Sequence, residues 1–434
     1  MADLGINKSD FQVISEPGFY VFSIFQQKYT FAGAEITDKT GDIWIFAYQE
    51  NGNDSIVRYK NAPYFYSIQQ IRDMAWKQIP RIATGSNPFE GNHVAQSPNG
   101  RLWITAYREY VLNTETRLLT TYFDGTSWQT WTRFNNRDLT HYHESGLIID
   151  GTNVVFAYLL DGGEPDELQN KERELYYKSV SQGVAIGDIQ AVSDTYVLTL
   201  GVNAVIASPI LKTSSGNYIF AYQKATTQSL PYTSTLYCRT ASTIAGLTTA
   251  TEVTIASNFP SGGGIGMPSL TEILTTKTIV VIYDKTNNTT IAYKTSTDEG
   301  ATWSSEQSVS TDFGGDNIIL ADLNDKLHVG TNNYANGQYT PYLCRVPRIS
   351  RKVTRGCPLC GTLQWNRLIP DQKNAVGKAL HPTPTGGGGL LRNDDPTGSG
   401  PTYFHCVSCG WILDVAKTVK GSGMGATGNT LGYD

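Results

Sequence analysis

Between residues 40 and 347 the apolar positions fall in short alternating runs, each opened by a turn-forming residue and closed by a tyrosine. Gly41–Tyr48 reads GDIWIFAY, Gly100–Tyr107 reads GRLWITAY, Gly151–Tyr158 reads GTNVVFAY and Gly216–Tyr222 reads GNYIFAY. Fainter copies occupy Thr278–Tyr283 and Asp325–Val329. A companion run ends in an aromatic or cysteine followed by a basic residue: Val57–Lys60, Leu175–Lys178, Leu236–Arg239, Ile291–Lys294 and Tyr342–Arg345. Period-two alternation over so few residues, bounded by glycine and polar turns, predicts strands. The units recur at roughly 57 residues, a spacing that implies stacked or radial sheets in place of one continuous core. An all-β fold follows: a six-bladed β-propeller of four-stranded antiparallel blades over residues 1–347. The apolar run Phe19–Phe31 precedes the first unit. It is predicted to complete the last blade by pairing near residues 327–345, which removes two open edges.

Composition adds a second domain. A chain of 434 residues is long enough for a large repeat domain with an appendage. Only 17% of residues are charged, and the abundance of Gly and Tyr suits many short strands and turns. No stretch approaches the roughly 18 apolar residues of a membrane span. The first residues lack the basic and apolar regions of a secretory signal, so synthesis and folding in a cytoplasm are expected.

Four of the six cysteines fall as Cys357-Pro-Leu-Cys360-Gly and Cys406-Val-Ser-Cys409-Gly. A two-residue gap lets both sulfurs of a knuckle face one ion, and tetrahedral zinc takes four such ligands at about 2.3 Å. Two facing knuckles resemble a zinc ribbon, which places one structural Zn2+ on Cys357, Cys360, Cys406 and Cys409. The ribbon spans residues 348–420, with Pro382–Gly400 as a Gly/Pro-rich insert, and residues 421–434 form a flexible Gly-rich tail. Disulfides are the alternative for these pairs. Cys238 and Cys344 replace tyrosines of the companion run and are expected in the core. Charge divides unevenly, about −11 over residues 1–344 and about +6 over 345–434. The basic junction Arg345–Arg355 reads as a solvated linker or a docking strip, and nothing beyond it argues for nucleic acid.

The phrase Ser296-Thr-Asp298-Glu-Gly300-Ala-Thr-Trp303 resembles the Asp-box (BNR) repeat of the sialidase superfamily. Phe123–Trp128 is a shortened version, and Ser179–Gly183 keeps only the turn. In that family the box is structural, which implies that Asp298 accepts backbone N–H bonds, Gly300 supplies a positive φ and Trp303 packs on the blade. The family's box lies between third and fourth strands, and its sugar sits on the opposite face. A sialidase also needs three arginines to clamp a carboxylate, together with a Tyr–Glu pair and an Asp. Here Ile79-Pro-Arg-Ile82 is a scrambled form of one motif, and only Arg173 and Arg239 occur between Arg137 and Arg345. Sialidase activity is therefore not expected.

Loops joining second to third strands belong to that opposite face. They bring the candidate catalytic carboxylates Glu50, Glu109, Asp161, Glu164 and Asp284, of which any suitably spaced pair suffices for a glycosidase. His141-Tyr-His143-Glu144 offers two metal ligands without a third, which favours a structural role. Two readings follow. The first is a non-enzymatic recognition propeller: a bacteriophage virion component that docks on other virion or scaffold proteins through its ribbon end and binds surface glycans. The second is a polysaccharide-directed glycoside hydrolase of sialidase-like fold. A cytoplasmic scaffold is a weaker third.

Overall fold

The computed structural model describes residue 4 and residues 6–51, 54–80, 89–108, 117–135, 145–161, 173–201, 204–207, 210–225, 234–259, 268–285, 290–310 and 315–346. Four further strands are described at Trp365–Pro370, Leu380–Pro384, Tyr403–Cys406 and Ile412–Asp414. Contacts divide the chain into two compact units, residues 1–323 with 327–346, and residues 324–326 with 347–434.

The first unit is a six-bladed propeller of antiparallel sheets. Blade 1 runs outward through Phe19–Gln26, Ile43–Asn51, Asp54–Ala62 and Lys77–Gln78. Blade 2 comprises Phe89–Gln96, Leu102–Arg108, Arg117–Phe123 and Thr132–Arg133. Blade 3 comprises Ser145–Asp150, Asn153–Asp161, Arg173–Ser181 and Thr195–Gly201. In blade 4 the innermost strand is split into Ala204–Ala207 and Leu211–Lys212, followed by Tyr218–Ala225, Ser234–Ala241 and Val253–Phe259. Blade 5 comprises Ser269–Ile273, Thr278–Asp284, Thr290–Ser296 and Gln307–Ser310. Blade 6 takes Gly315–Ala321, Leu327–Ala335 and Gln338–Val346 from the end of the unit.

Ring closure differs from the sequence expectation. The fourth strand of blade 6 is Gln12–Val13, paired with Leu343 and Tyr342. Phe19–Gln26 is instead the innermost strand of blade 1, paired with Ile43–Asn51. Its side chains are buried on both faces, which suits a strand near the axis and not a half-exposed outer edge. Asn332 of blade 6 then ties the two ends of the ring together. Its Oδ1 accepts the Val21 N–H at 2.8 Å and its Nδ2 donates to the Val21 carbonyl at 2.9 Å. Both groups lie on the edge strand of the sheet, beside a bulge between Val21 and Ser23. Lys60 anchors the closing segment from below. Its ammonium donates to the carbonyls of Ile14, Ile71 and Arg72 at 2.9, 3.0 and 3.0 Å.

The core lies between blades. Trp44, Phe46 and Tyr48 of blade 1 pack with Leu102, Ile104 and Ala106 of blade 2. Ile219 and Ala221 of blade 4 meet Val281 and Tyr283 of blade 5. Gly100, at φ +89°, marks one tight approach, because a Cβ there would sit 2.3 Å from the Thr30 carbonyl oxygen. Cys238 and Cys344 are both buried thiols in different blades, not joined in a disulfide.

The second unit has its own four-stranded antiparallel sheet, in the order Leu380–Pro384, Trp365–Pro370, Tyr403–Cys406, Ile412–Asp414. Trp365, soon after Cys360 in sequence, pairs with Cys406. Cys357, Cys360 and Cys409 lie outside the described residues, as does the Cys406 side chain.

Candidate functional site

Strand direction sorts the loops. Turns between first and second strands share one face of the propeller with turns between third and fourth strands. Connections between second and third strands, and between blades, lie on the other. The Ser296–Trp303 turn belongs to the first face. Asp298 Oδ1 accepts from the Thr302 N–H at 2.9 Å, and its Oδ2 accepts from the Thr302 hydroxyl at 2.6 Å. Ser296 Oγ donates to Asp298 and accepts from the Gly300 N–H, each at 2.8 Å. Gly300 has φ +88°, and Trp303 packs on the core between blades 4 and 5. The Thr302 bonds, with help from Ser296, hold the Asp298 carboxyl below its ordinary range, so it stays ionised as an acceptor. Asp124 makes the same kind of turn in blade 2, accepting from the Thr126 and Ser127 N–H groups.

Several conspicuous carboxylates are likewise occupied by the architecture. Glu252 accepts from the hydroxyl of Tyr222 and from Lys224, and Glu306 accepts from Tyr283 at 2.7 Å and from Lys285. Burial pushes both carboxyls up, but the lysine and tyrosine partners outweigh it and hold them below the usual range. Lys178 faces Asp194 at 3.3 Å in the matching place of blade 3. Arg239 is spent on the Tyr222 hydroxyl and the carbonyls of Leu247 and Thr248.

The opposite face carries a different pattern. The innermost strands of blades 5 and 6 are held in step by Ser269 Oγ, which accepts from the Ile319 N–H at 3.2 Å, and by Thr271 Oγ1, which accepts from Ala321 at 2.8 Å. Ser269 is also the ladder partner of Ile282. Two residues further toward the loop face, Asp284 and Asn317 therefore reach the same level on facing blades. Thr331 lies across from the bulge that contains Asn317. Asp284, Asn317 and Thr331 are 1%, 2% and 0% exposed. Gln223 occupies in blade 4 the place that Asp284 occupies in blade 5, each following the tyrosine that ends the repeat. By alternation it shares the side of Ile219 and Ala221 that faces blade 5, and it too is fully buried.

Among the described residues, five polar atoms of this crescent have no hydrogen-bond partner: Gln223 Nε2 and Oε1, Asn317 Nδ2 and Oδ1, and Thr331 Oγ1. A buried polar atom left unpaired costs about 1–3 kcal/mol. Native proteins rarely keep several together without a water, ion or ligand to satisfy them. The arrangement offers amide donors, amide acceptors, a hydroxyl and one carboxylate as a wall at one level of the ring, Gln223 on the blade 4–5 side and the others where blades 5 and 6 meet.

Of the carboxylates singled out from the sequence, Asp284 joins this wall. Glu50 and Asp161 end second strands of blades 1 and 3, but their side chains are outside the described residues, and so are Glu109 and Glu164. His141, His143 and Glu144 are outside them as well. Among the described residues no cluster of three His, Cys, Asp or Glu is arranged to hold a metal. Sequence reasoning missed Gln223, Asn317 and Thr331. The signal for the first was its place after Tyr222, equivalent to Asp284. Nothing in the local sequence marks Asn317.

No protein-family model matches the chain, and no curated protein does. Solved structures do. The α-L-arabinofuranosidase of Fusarium graminearum bound to an iminosugar inhibitor matches with a TM-score of 0.51 at 14% identity, over 75% of this chain and 92% of that one. The GH93 α-L-arabinofuranosidase of the same organism with arabinobiose gives 0.52 at 13%, over 77% and 96%. A Trypanosoma rangeli sialidase mutant gives 0.36 at 13%, over 59% and 54%, too distant to bear on the argument. At these identities the two arabinofuranosidases show a shared propeller fold. They also correct the first functional expectation. Both of these matched propellers are glycoside hydrolases, which overturns the expectation of a non-enzymatic virion component.

Proposed function

We propose that the chain is a glycoside hydrolase acting on a polysaccharide or oligosaccharide at the face opposite the Asp298 turn. The observation that carries this reading is the wall of Gln223, Asp284, Asn317 and Thr331, where a carboxylate stands among buried polar groups that lack partners. Sugar hydroxyls are donors and acceptors at once, and they suit a wall of amides and a hydroxyl. The likeness to arabinofuranosidases supports the same reading by fold analogy.

Glycoside cleavage needs two carboxyl groups, one to protonate the leaving oxygen and one to act as nucleophile or to activate water. Asp284 is the first. Its partner is sought among Glu50, Glu109, Asp161 and Glu164, which in sequence end or follow second strands as Asp284 does. A separation of about 5–5.5 Å implies retention and one of about 6.5–9.5 Å implies inversion. The test is release of reducing sugar from a panel of soluble polysaccharides. Asp284→Asn, which preserves shape, should lower turnover about 100-fold or more while leaving the melting temperature near that of the wild type. Full activity in Asp284→Asn removes this residue from the chemistry. No product from any substrate removes the hydrolase reading.

A further inference from the structure

An aromatic ladder runs from blade 1 to the hairpin of blade 6 and ends at the surface, beyond what ring closure or the catalytic wall requires. Tyr48 and Tyr20 are stacked at 4.6 Å between ring centroids, with 21° between their planes. Tyr339 meets the Tyr20 ring edge-on at 4.8 Å, and Tyr334 meets Tyr339 at 4.8 Å. The ladder climbs from the core to the surface: Tyr48 and Tyr20 are buried, whereas Tyr334 is 57% exposed. Three exposed aromatic rings occur among the described residues, the others being Phe65 and Tyr196. Phe65 follows a third strand and so belongs to the opposite face, and Tyr196 lies in an outermost strand. Tyr334 alone of the three borders the loop face beside an innermost strand.

The hairpin that presents it is well defined. Tyr334 and Tyr339 are direct cross-strand partners, and the turn between them has φ of 54° at Asn336 and 78° at Gly337. Positive φ at both central residues is the type I′ geometry that matches strand twist and fixes register. The outer ring is thus held by its neighbour before any ligand arrives, which lowers the ordering cost of binding. The strand Leu327–Ala335 also supplies Thr331, buried and unpartnered, to the catalytic wall. That strand carries both groups, Thr331 on its blade 5 side and Tyr334 at its loop-face end on the blade 1 side.

We propose that Tyr334, backed by Tyr339, is a stacking subsite for a neutral glycan chain that extends from the Asp284 wall. This rests on the hydrolase reading and adds the class of substrate: a chain of uncharged sugars longer than the bond being cleaved. Sugar rings present C–H faces with slight positive charge, and the face of a tyrosine ring is negative, so the two associate face to face. A wall of amides and a hydroxyl meets neutral hydroxyl groups without demanding a counter-charge.

The experiment is affinity electrophoresis of the full chain in gels containing arabinan, arabinoxylan, galactan or β-glucan, with polygalacturonate as the acidic probe. At least one neutral polymer should retard the wild type. Tyr334→Ala should weaken that binding about tenfold, equivalent to about 1.4 kcal/mol, and Tyr334→Phe should restore it. In turnover, Tyr334→Ala should raise KM for the polymer about tenfold but KM for a one-sugar aryl glycoside less than twofold. Retardation by polygalacturonate alone overturns the proposal, and so does an unchanged KM for the polymer in Tyr334→Ala. If polymer cleavage persists in that case, only the subsite fails. If no polymer is bound or cleaved, the hydrolase reading fails with it.

Discussion

Replacing Asn332 with leucine tests whether the ring is closed as described. The side chain of Asn332 pairs with a backbone N–H and a carbonyl on the edge strand of blade 1, both on Val21. Val21 and Asn332 are 0% and 1% exposed, so water has no ready access to take their place. Leucine has the same branched outline, is somewhat bulkier, and removes both bonds. Each orphaned group costs about 1–3 kcal/mol, which puts the total near 2–6 kcal/mol. With an unfolding entropy of about 2.1 cal/mol/K per residue, the propeller loses about 0.7 kcal/mol per degree, and the melting temperature should fall by about 3–9 °C. Differential scanning calorimetry at fixed scan rate reads this directly. Asn332→Asp keeps the acceptor for the Val21 N–H and should lie between wild type and Asn332→Leu. A fall below about 1 °C for the leucine variant would refute the closure, because it would mean that Val21 is satisfied in some other way.

Other outcomes follow from the same geometry. Gly100→Ala forces a Cβ to within 2.3 Å of the Thr30 carbonyl oxygen at φ +89°; urea unfolding should show a loss of about 2–4 kcal/mol, and a loss under half a kcal/mol would contradict the packing. Lys60 titrates near pH 8 because burial lowers it from 10.5. Between these values the unfolded chain holds more protons, so the stability contributed by this group is least below pH 8, rises through the window and is complete above 10.5. Wild type should gain up to about 3 kcal/mol on Lys60→Met between pH 7 and 10.5, and parallel urea midpoints would contradict this. On the zinc-ribbon reading, Cys406→Ser should remove about one zinc per chain by elemental analysis and expose the residues after 347 to protease, whereas unchanged metal content would dismiss the ribbon.

The blades were readable because their second strands repeat a local rule, a turn followed by alternation ending in Tyr48, Tyr107, Tyr158, Tyr222 or Tyr283. That rule depends only on neighbours in sequence. Closure was misread because Phe19–Phe31 and Gln12–Val13 are both extended, and choosing between them depends on which strand lies nearest the axis. The sequence pattern assigns the long apolar run to the last blade, where the two residues Gln12–Val13 suffice. Asp284 was legible as a loop-face carboxylate from its place after Tyr283. Asn317 and Thr331 were not, because their significance comes from the meeting of blades 5 and 6, about fifty residues apart in sequence on the repeat spacing. The Tyr20–Tyr339 contact joins the two ends of the unit and was invisible for the same reason. Glu252 and Glu306 show the reverse case. As acidic residues before fourth strands they resemble catalytic groups, yet Tyr222 and Tyr283 engage them in the architecture.

The most direct test of the central claim is a crystal structure of Asp284→Asn soaked with a neutral oligosaccharide. The account predicts a sugar on the loop face, its hydroxyls bonded to Gln223, Asn317 or Thr331 and its chain running over Tyr334. A sugar seated on the face of the Asp298 turn, or bound with those side chains still unpaired, would contradict it.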